Sequence, residues 1–181
     1  MSKRILLVLI LLLICTFVFP QIEEFSVGLK LGPGTISGNL PSQTSVAAEL
    51  FVDVLPTVTQ GIPLRMGLIY ARRFEAFLPQ GLRGKYYPFV KGIYICGILK
   101  QPLGKLGYLE ESLGPLYLND RTYSDVNAND IGVMFSLLIG LDFRYGEKSG
   151  FASGLGVEYG TTFTSTTARY TTVNFQLQYF F

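Results

Sequence analysis

The chemistry this sequence offers rests on ten charged residues: Lys30, Glu49, Asp53, Arg65, Arg73, Arg83, Lys85, Asp142, Arg144 and Glu158. Nearly all stand at alternating positions within β-type patterns, on the face opposite an apolar one. Both signs share that face, so ion pairing is the chemistry they suit best. For catalysis the set is poorly equipped. The chain contains no histidine, which removes Ser-His-acid triads, His-dependent acyl transfer or deacylation, and His-based metal sites. Glu49 and Asp53 share a face but lie four residues apart, roughly 13 Å along a strand, and serve better as partners for arginines than as an acid/base pair. Gly32-Pro33-Gly34 and Gly154-Leu155-Gly156 lack the Lys-Ser/Thr that a phosphate cradle needs. Cys96 has no metal-ligand companion and reads as a small buried apolar residue. The oxygens of Asn119-Asp120-Arg121 and of Asn127 to Asp130 do not follow EF-hand spacing. These absences point to a protein that is not an enzyme and uses no cofactor or metal.

The elements that would position these charges begin after a leader. Lys3 and Arg4 precede the apolar run Ile5 to Phe19, then Pro20 and Gln21. This is the pattern of a secretory signal peptide, too short and wrongly flanked for a membrane-spanning helix. The expected division is residues 1–21 as signal peptide and 22–181 as one β-barrel domain. Lys3 and Arg4 are two of 15 cationic residues, so 13 remain against 13 acidic ones and the precursor's +2 gives no reason to expect nucleic acid. Ile14 is not the small residue that should precede a lipidated Cys15. With Cys15 in the leader, Cys96 has no partner for an intrachain disulfide.

From Glu24 onward the pattern is alternation, turn, alternation, without a helical period. The expected strands are Glu24 to Gly32, Thr44 to Val54, Leu64 to Phe74, Gly81 to Val90, Ile93 to Gln101, Ile131 to Tyr145, Phe151 to Thr162 and Tyr170 to Phe181. Turn residues predict a loop from Pro33 to Gln43, a tight turn at Val90-Lys91-Gly92, and one long loop over 102–130 with room for short structure of its own around Tyr108 to Tyr123. Eight strands, an even number, put both ends of the domain on one side. The odd-numbered connections, including 102–130, would then face the opposite side.

The closing stretch shows the two faces most clearly: Thr171, Val173, Phe175, Leu177, Tyr179 and Phe181 against Tyr170, Thr172, Asn174, Gln176, Gln178 and Phe180. In a soluble barrel the apolar set would point inward, and in a membrane barrel it meets lipid while the polar set fills the lumen. Eight strands enclose only enough room for side chains, so paired charges there would plug the barrel. Aromatic residues near segment ends could form interfacial girdles: Phe74, Phe77, Tyr86, Tyr87, Phe89, Tyr94, Tyr145, Phe151, Tyr159, Phe163, Tyr170 and Tyr179 to Phe181.

The leader, Gly84-Lys85-Tyr86-Tyr87-Pro88-Phe89 followed at once by a Lys-Gly turn and an apolar strand, the long loop, the Gly-rich strand Gly154 to Tyr159, and the terminal Phe181 together resemble the small outer-membrane β-barrel proteins of Gram-negative bacteria, of the OmpA/OmpX type. That resemblance spans roughly residues 22–181. It implies an all-β, eight-stranded antiparallel up-and-down transmembrane barrel in the outer membrane. It also implies contact with outer-membrane lipid, and insertion by an assembly machinery that recognises a last strand ending in an aromatic residue, matched here by Phe175, Leu177, Tyr179 and Phe181. The expected role is non-enzymatic: a polar, filled lumen, with outer loops, chiefly 102–130, meeting the exterior or envelope protein partners. Two other functions fit the same pattern, a soluble secreted or periplasmic barrel carrying an apolar ligand and a narrow transport channel.

Overall fold

A computed structural model describes residues 22–59, 61–75, 87–123, 125, 127–164 and 166–181. Within them, eight strands follow one another in chain order: β1 (Ile22–Ser37), β2 (Gln43–Pro56), β3 (Leu64–Arg73), β4 (Phe89–Leu103), β5 (Gly107–Arg121), β6 (Ala128–Asp142), β7 (Gly150–Thr162) and β8 (Arg169–Phe180). Each pairs antiparallel with its neighbours, and β8 closes on β1. The result is an eight-stranded up-and-down barrel with no free sheet edge. The leader, Arg83, Lys85 and the Gly84 to Tyr86 part of the family-like stretch lie outside the described residues.

Three expected boundaries are corrected. The strand β4 runs straight through Val90-Lys91-Gly92, where a turn was expected, and continues to Leu103. The long loop expected over 102–130 is largely the strand β5, joined to β4 by the tight connection 104–106. Likewise β1 continues past Pro33-Gly34 to Ser37. In each case Gly or Pro inside a strand imitates a turn. Pro33 keeps its pairing with Val46 of β2, while the ladder to β8 skips from Leu31 to Gly34. At Gly114-Pro115 the β4–β5 ladder skips in the same way, between Leu116 and Leu113. A proline lacks a donor, and a strand tolerates it where one ladder is interrupted.

Several glycines have a spatial reason. Phe51, Tyr94, Tyr108 and Tyr170 point into the barrel, and each is paired in register with a glycine on the adjacent strand: Gly28, Gly67, Gly140 and Gly160. The rings lie over those glycines so closely that a Cβ on Gly67 would sit 2.3 Å from the Tyr94 ring, and one on Gly28 would sit 2.1 Å from the Phe51 ring. A narrow barrel thus accommodates four large rings by omitting the side chain beside each one.

The connections differ at the two ends. One end holds both ends of the barrel domain and the connections 57–63, 104–106 and 143–149; the far end carries 38–42, 74–88, 122–127 and 163–168. The longest connection is therefore the third, 74–88, rather than the fifth, and it stays on the side opposite the termini. At roughly 3.3 Å per residue and a tilt near 40°, the 12 residues of β8 extend about 30 Å along the barrel axis.

Candidate functional site: a layered lumen inside an apolar wall

Alternation along the strands gives the wall two unlike faces. Outward stand Val27, Leu29, Leu50, Leu68, Ile93, Ile95, Leu113, Phe135, Ile139, Leu155, Val173, Phe175 and Leu177, all exposed. Inward, on the same strands, stand Lys30, Glu49, Asp53, Arg65, Glu110 and Glu158, all buried. This inverts the arrangement of a soluble barrel. Phe175 and Leu177, with Phe181 beyond them, are on the exposed side. The Phe181 ring packs against Phe25 at 5.6 Å and Tyr179 at 4.9 Å, and its amide donates to the Phe25 carbonyl at 3.0 Å.

The middle of the lumen is a charged band. Lys30 Nζ lies 2.8 Å from Glu49 Oε1 and 2.7 Å from Glu158 Oε2. Tyr170 donates its hydroxyl to Glu158 at 2.9 Å, and Tyr94 donates to Glu49. Arg65, 0% exposed, grips Asp53 with both edges of its fork, Nε to Oδ1 at 2.7 Å and a terminal nitrogen to Oδ2 at 2.8 Å. Its other terminal nitrogen donates to Glu110 at 2.7 Å. Gln178 adds donations to Asp53 at 2.7 Å and to Ser26 at 2.6 Å. The Phe51 ring separates the two cations, with the Arg65 guanidinium 4.0 Å and Lys30 Nζ 5.5 Å from its centroid. Four carboxyl groups surround two cations, and hydroxyl and amide donors reach three of the four, supplying the positive ends that a buried carboxylate requires.

Above this band, toward the far end, the interior turns apolar: Ile36, Ile69, Val90, Leu116, Leu118 and Met134 form one buried cluster with Cys96. Ile69 and Met134 lie on faces that alternation assigns to the polar side, so the lumen is layered rather than uniformly polar. Below the band, Tyr108, Leu138, Ala152 and Phe180 make a smaller apolar layer. At the mouth beneath it, Arg144 pairs with Glu24 and, at 2.8 Å, with Asp142, while Lys100 lies 3.4 Å from Asp142. Arg144 and Lys100 also cover the Phe180 ring at 3.7 and 5.2 Å.

The ten residues singled out in the sequence therefore separate. Lys30, Glu49, Asp53, Arg65 and Glu158 meet in the central band. Asp142 and Arg144 meet at the mouth near the termini. Arg73 sits at the far rim, paired with Glu75 at 3.0 Å, away from the band. Arg83 and Lys85 are outside the described residues. Glu110 was hidden inside the segment expected to be a loop, although its alternation with Tyr108 and Ser112 marks it as inward. Among the aromatics expected in girdles, Tyr94, Tyr170 and Phe180 instead point inward. Outward rings do collect at both ends: Phe25, Phe151, Tyr179 and Phe181 near the termini, and Tyr70 with Phe89, 5.5 Å apart, near the far rim.

Little space remains inside. The void beside Lys30, Glu49 and Asn174 is about 10 Å³, and that beside Asp53, Glu110 and Gln178 about 50 Å³. The first is at the lower limit for one water molecule. Among the described residues no group of acidic and cysteine side chains could hold a metal ion.

A closed barrel of eight antiparallel strands, apolar outside and ionic inside, is the fold of the small outer-membrane barrels. Comparison of the structure bears this out. It superimposes on Neisserial surface protein A (NspA) with a TM-score of 0.57 at 12% identity, covering 85% of this chain and 95% of that one. It also matches Ail, the attachment invasion locus protein of Yersinia pestis, with a TM-score of 0.53 at 11% identity, covering 87% and 98%. A second structure of Ail, in complex with the heparin analogue sucrose octasulfate, gives 0.55 at 11% identity. No protein-family model and no curated protein matches the chain in sequence. The likeness is in the fold.

Proposed function

We propose that this protein is a non-enzymatic outer-membrane β-barrel whose plugged lumen holds the wall rigid while the far-end connections meet the exterior. The observation that carries this is the inversion of faces: a continuous belt of exposed Leu, Ile, Val and Phe surrounds buried, paired Lys30 and Arg65. In water that belt would be an aggregation surface, and in lipid it is the stable arrangement. Residues 1–21 would direct export and be removed, leaving 22–181 as the barrel. Phe175, Leu177, Tyr179 and Phe181 would be read by the outer-membrane assembly machinery. The connections 38–42, 74–88, 122–127 and 163–168 take the outward role that the sequence suggested for 102–130. They would make surface or envelope-protein contacts; the name of Ail speaks of attachment and invasion for that protein.

The two other functions draw less support. An apolar cargo needs an interior of several hundred Å³, and the voids beside the charged band are far smaller. Ion conduction needs a continuous aqueous path, whereas Phe51, the Arg65 cluster and the apolar layers occupy it. Membrane fractionation combined with heat-modifiable gel migration tests the assignment. The expected result is a membrane-bound species whose mobility changes on boiling; a freely soluble protein would overturn it. In planar bilayers the expected result is no sustained opening, and large steady conductance would overturn the plugged lumen.

A further inference from the structure

The charged residues of the outward face are sorted by sign along the barrel. Among the described strand residues, the outward cations are Arg72 of β3, Lys91 of β4, Arg121 of β5 and Arg169 of β8, all at the far end. The outward acids, Glu23 of β1 and Glu111 of β5, lie in the half nearer the termini. Three of the four cations are neighbours. In register, Arg72 stands beside Phe89 and Phe89 beside Arg121; one step toward the middle, Tyr70 stands beside Lys91 and Lys91 beside Asn119. A further step gives Leu68, Ile93 and Tyr117. The wall here reads cationic, then polar, then apolar from the rim inward.

We infer that this patch on β3–β5 holds the headgroup of a phosphate-bearing lipid, with its acyl chain along Leu68 and Ile93. The inference rests on the membrane assignment proposed above. A surface depression of about 630 Å³ joins Lys91, Arg121, Asn119 and Tyr117 to Leu68 and Ile93, so one amphiphile can meet cations and aliphatic wall together. Arg72 and Arg121 start two strands apart, roughly 10 Å, and Lys91 lies roughly 7 Å further along its strand. Lys91 and Arg121 line that depression together, and Arg72 stands next to it across the wall, beyond Phe89. The Arg72 guanidinium carbon lies 4.2 Å from the centroid of the Tyr87 ring, a cation–π contact that steadies a side chain suited to phosphate. Asn119 is held at the centre by donating to Asn127 at 2.9 Å and to Asn129 at 2.7 Å. The outward acids Glu23 and Glu111 lie toward the other end of the barrel, so the patch also orients it: the far end belongs in the leaflet richer in phosphate.

The test places the full chain in nanodiscs of phosphatidylcholine doped with phosphatidic acid and compares the lipids retained, by native mass spectrometry. Phosphatidic acid should be retained about fivefold or more over its bulk proportion, since each cation near an anionic surface favours binding by about that factor. Arg72→Gln/Lys91→Gln/Arg121→Gln should bring the ratio to bulk, while Arg169→Gln should preserve most of it. Should the triple variant not fold, Lys91→Glu alone should reduce the ratio severalfold. Millimolar inorganic phosphate should leave the preference intact; loss of it would show a site for free phosphate and overturn the lipid assignment. Insertion with no preference in the wild type overturns this inference and leaves the membrane assignment standing, whereas failure to enter the disc removes both.

Discussion

The charged band around Arg65 and the cluster around Arg144 use the same residue types in different surroundings. Arg65 is fully buried and its partners Asp53 and Glu110 are nearly so; Arg144, Glu24 and Asp142 are all partly exposed at the mouth. In the band, little space is left for solvent and every charge depends on a protein partner. At the mouth, solvent can replace a lost partner. Burial, more than the count of ion pairs, therefore decides what each cluster contributes: the band enforces one arrangement of the lumen, and the mouth cluster adds little to stability.

The sharpest way to break this comparison is Arg65→Met. It leaves Asp53 and Glu110 buried without their cation and should destabilise the barrel by about 3–5 kcal/mol, read as a lower urea midpoint for loss of heat-modifiable migration in lipid vesicles. A loss no greater than that of a mouth variant would contradict the distinction. Moving a cation to the other side of the wall gives the next effect. Leu155→Lys puts a charge on the exposed belt and should cost about 2–4 kcal/mol if the site lies near the bilayer midplane, measured by refolding yield and urea titration in the same vesicles; wild-type behaviour would argue against lipid on that face. Gly67→Ala forces a methyl group against the Tyr94 ring at the edge of the band and should cost about 1–3 kcal/mol. The double variant Gly67→Ala/Tyr94→Ala should fall short of the sum of the single effects, because removing the ring removes the clash. The smallest effect is expected at the mouth. Arg144→Gln should change stability by about 0.2–1 kcal/mol, shrinking further at high salt, and a loss matching that of Arg65→Met would erase the difference between the two regions.

Much of the wall was legible from period two alone. In β6, Val133, Phe135, Leu137, Ile139 and Leu141 alternate against Gly132, Ser136 and Gly140, and the strand lies where alternation puts it, apart from its ends. β8 was equally plain. The β4–β5 hairpin was not, because Gly92, Gly107, Gly114 and Pro115 carry the same local signal as a turn. Gly92 is a wall residue: a Cβ there would meet the Tyr117 carbonyl oxygen at 2.7 Å. Missing that hairpin also hid Glu110, the second carboxylate of Arg65. The layering of the lumen was invisible for a related reason. Alternation states which side of the wall a residue occupies, and Ile69 or Met134 on the inward side says nothing of its height in the barrel until the strands are in register.

By itself, then, the sequence determined the class of wall: strands with one aliphatic face and one face bearing charge and glycine, in a chain without histidine. Those are properties of neighbouring residues, carried by a period of two. Only the tertiary structure decided who meets whom. Closure of β8 on β1 brings Gln178 to Ser26 and Asp53, and the stagger of the strands brings Lys30 to Glu158 and Arg65 to Glu110. These contacts join residues as much as 152 positions apart, and nothing local encodes them; they follow from the register in which eight tilted strands close around an interior just wide enough for their side chains.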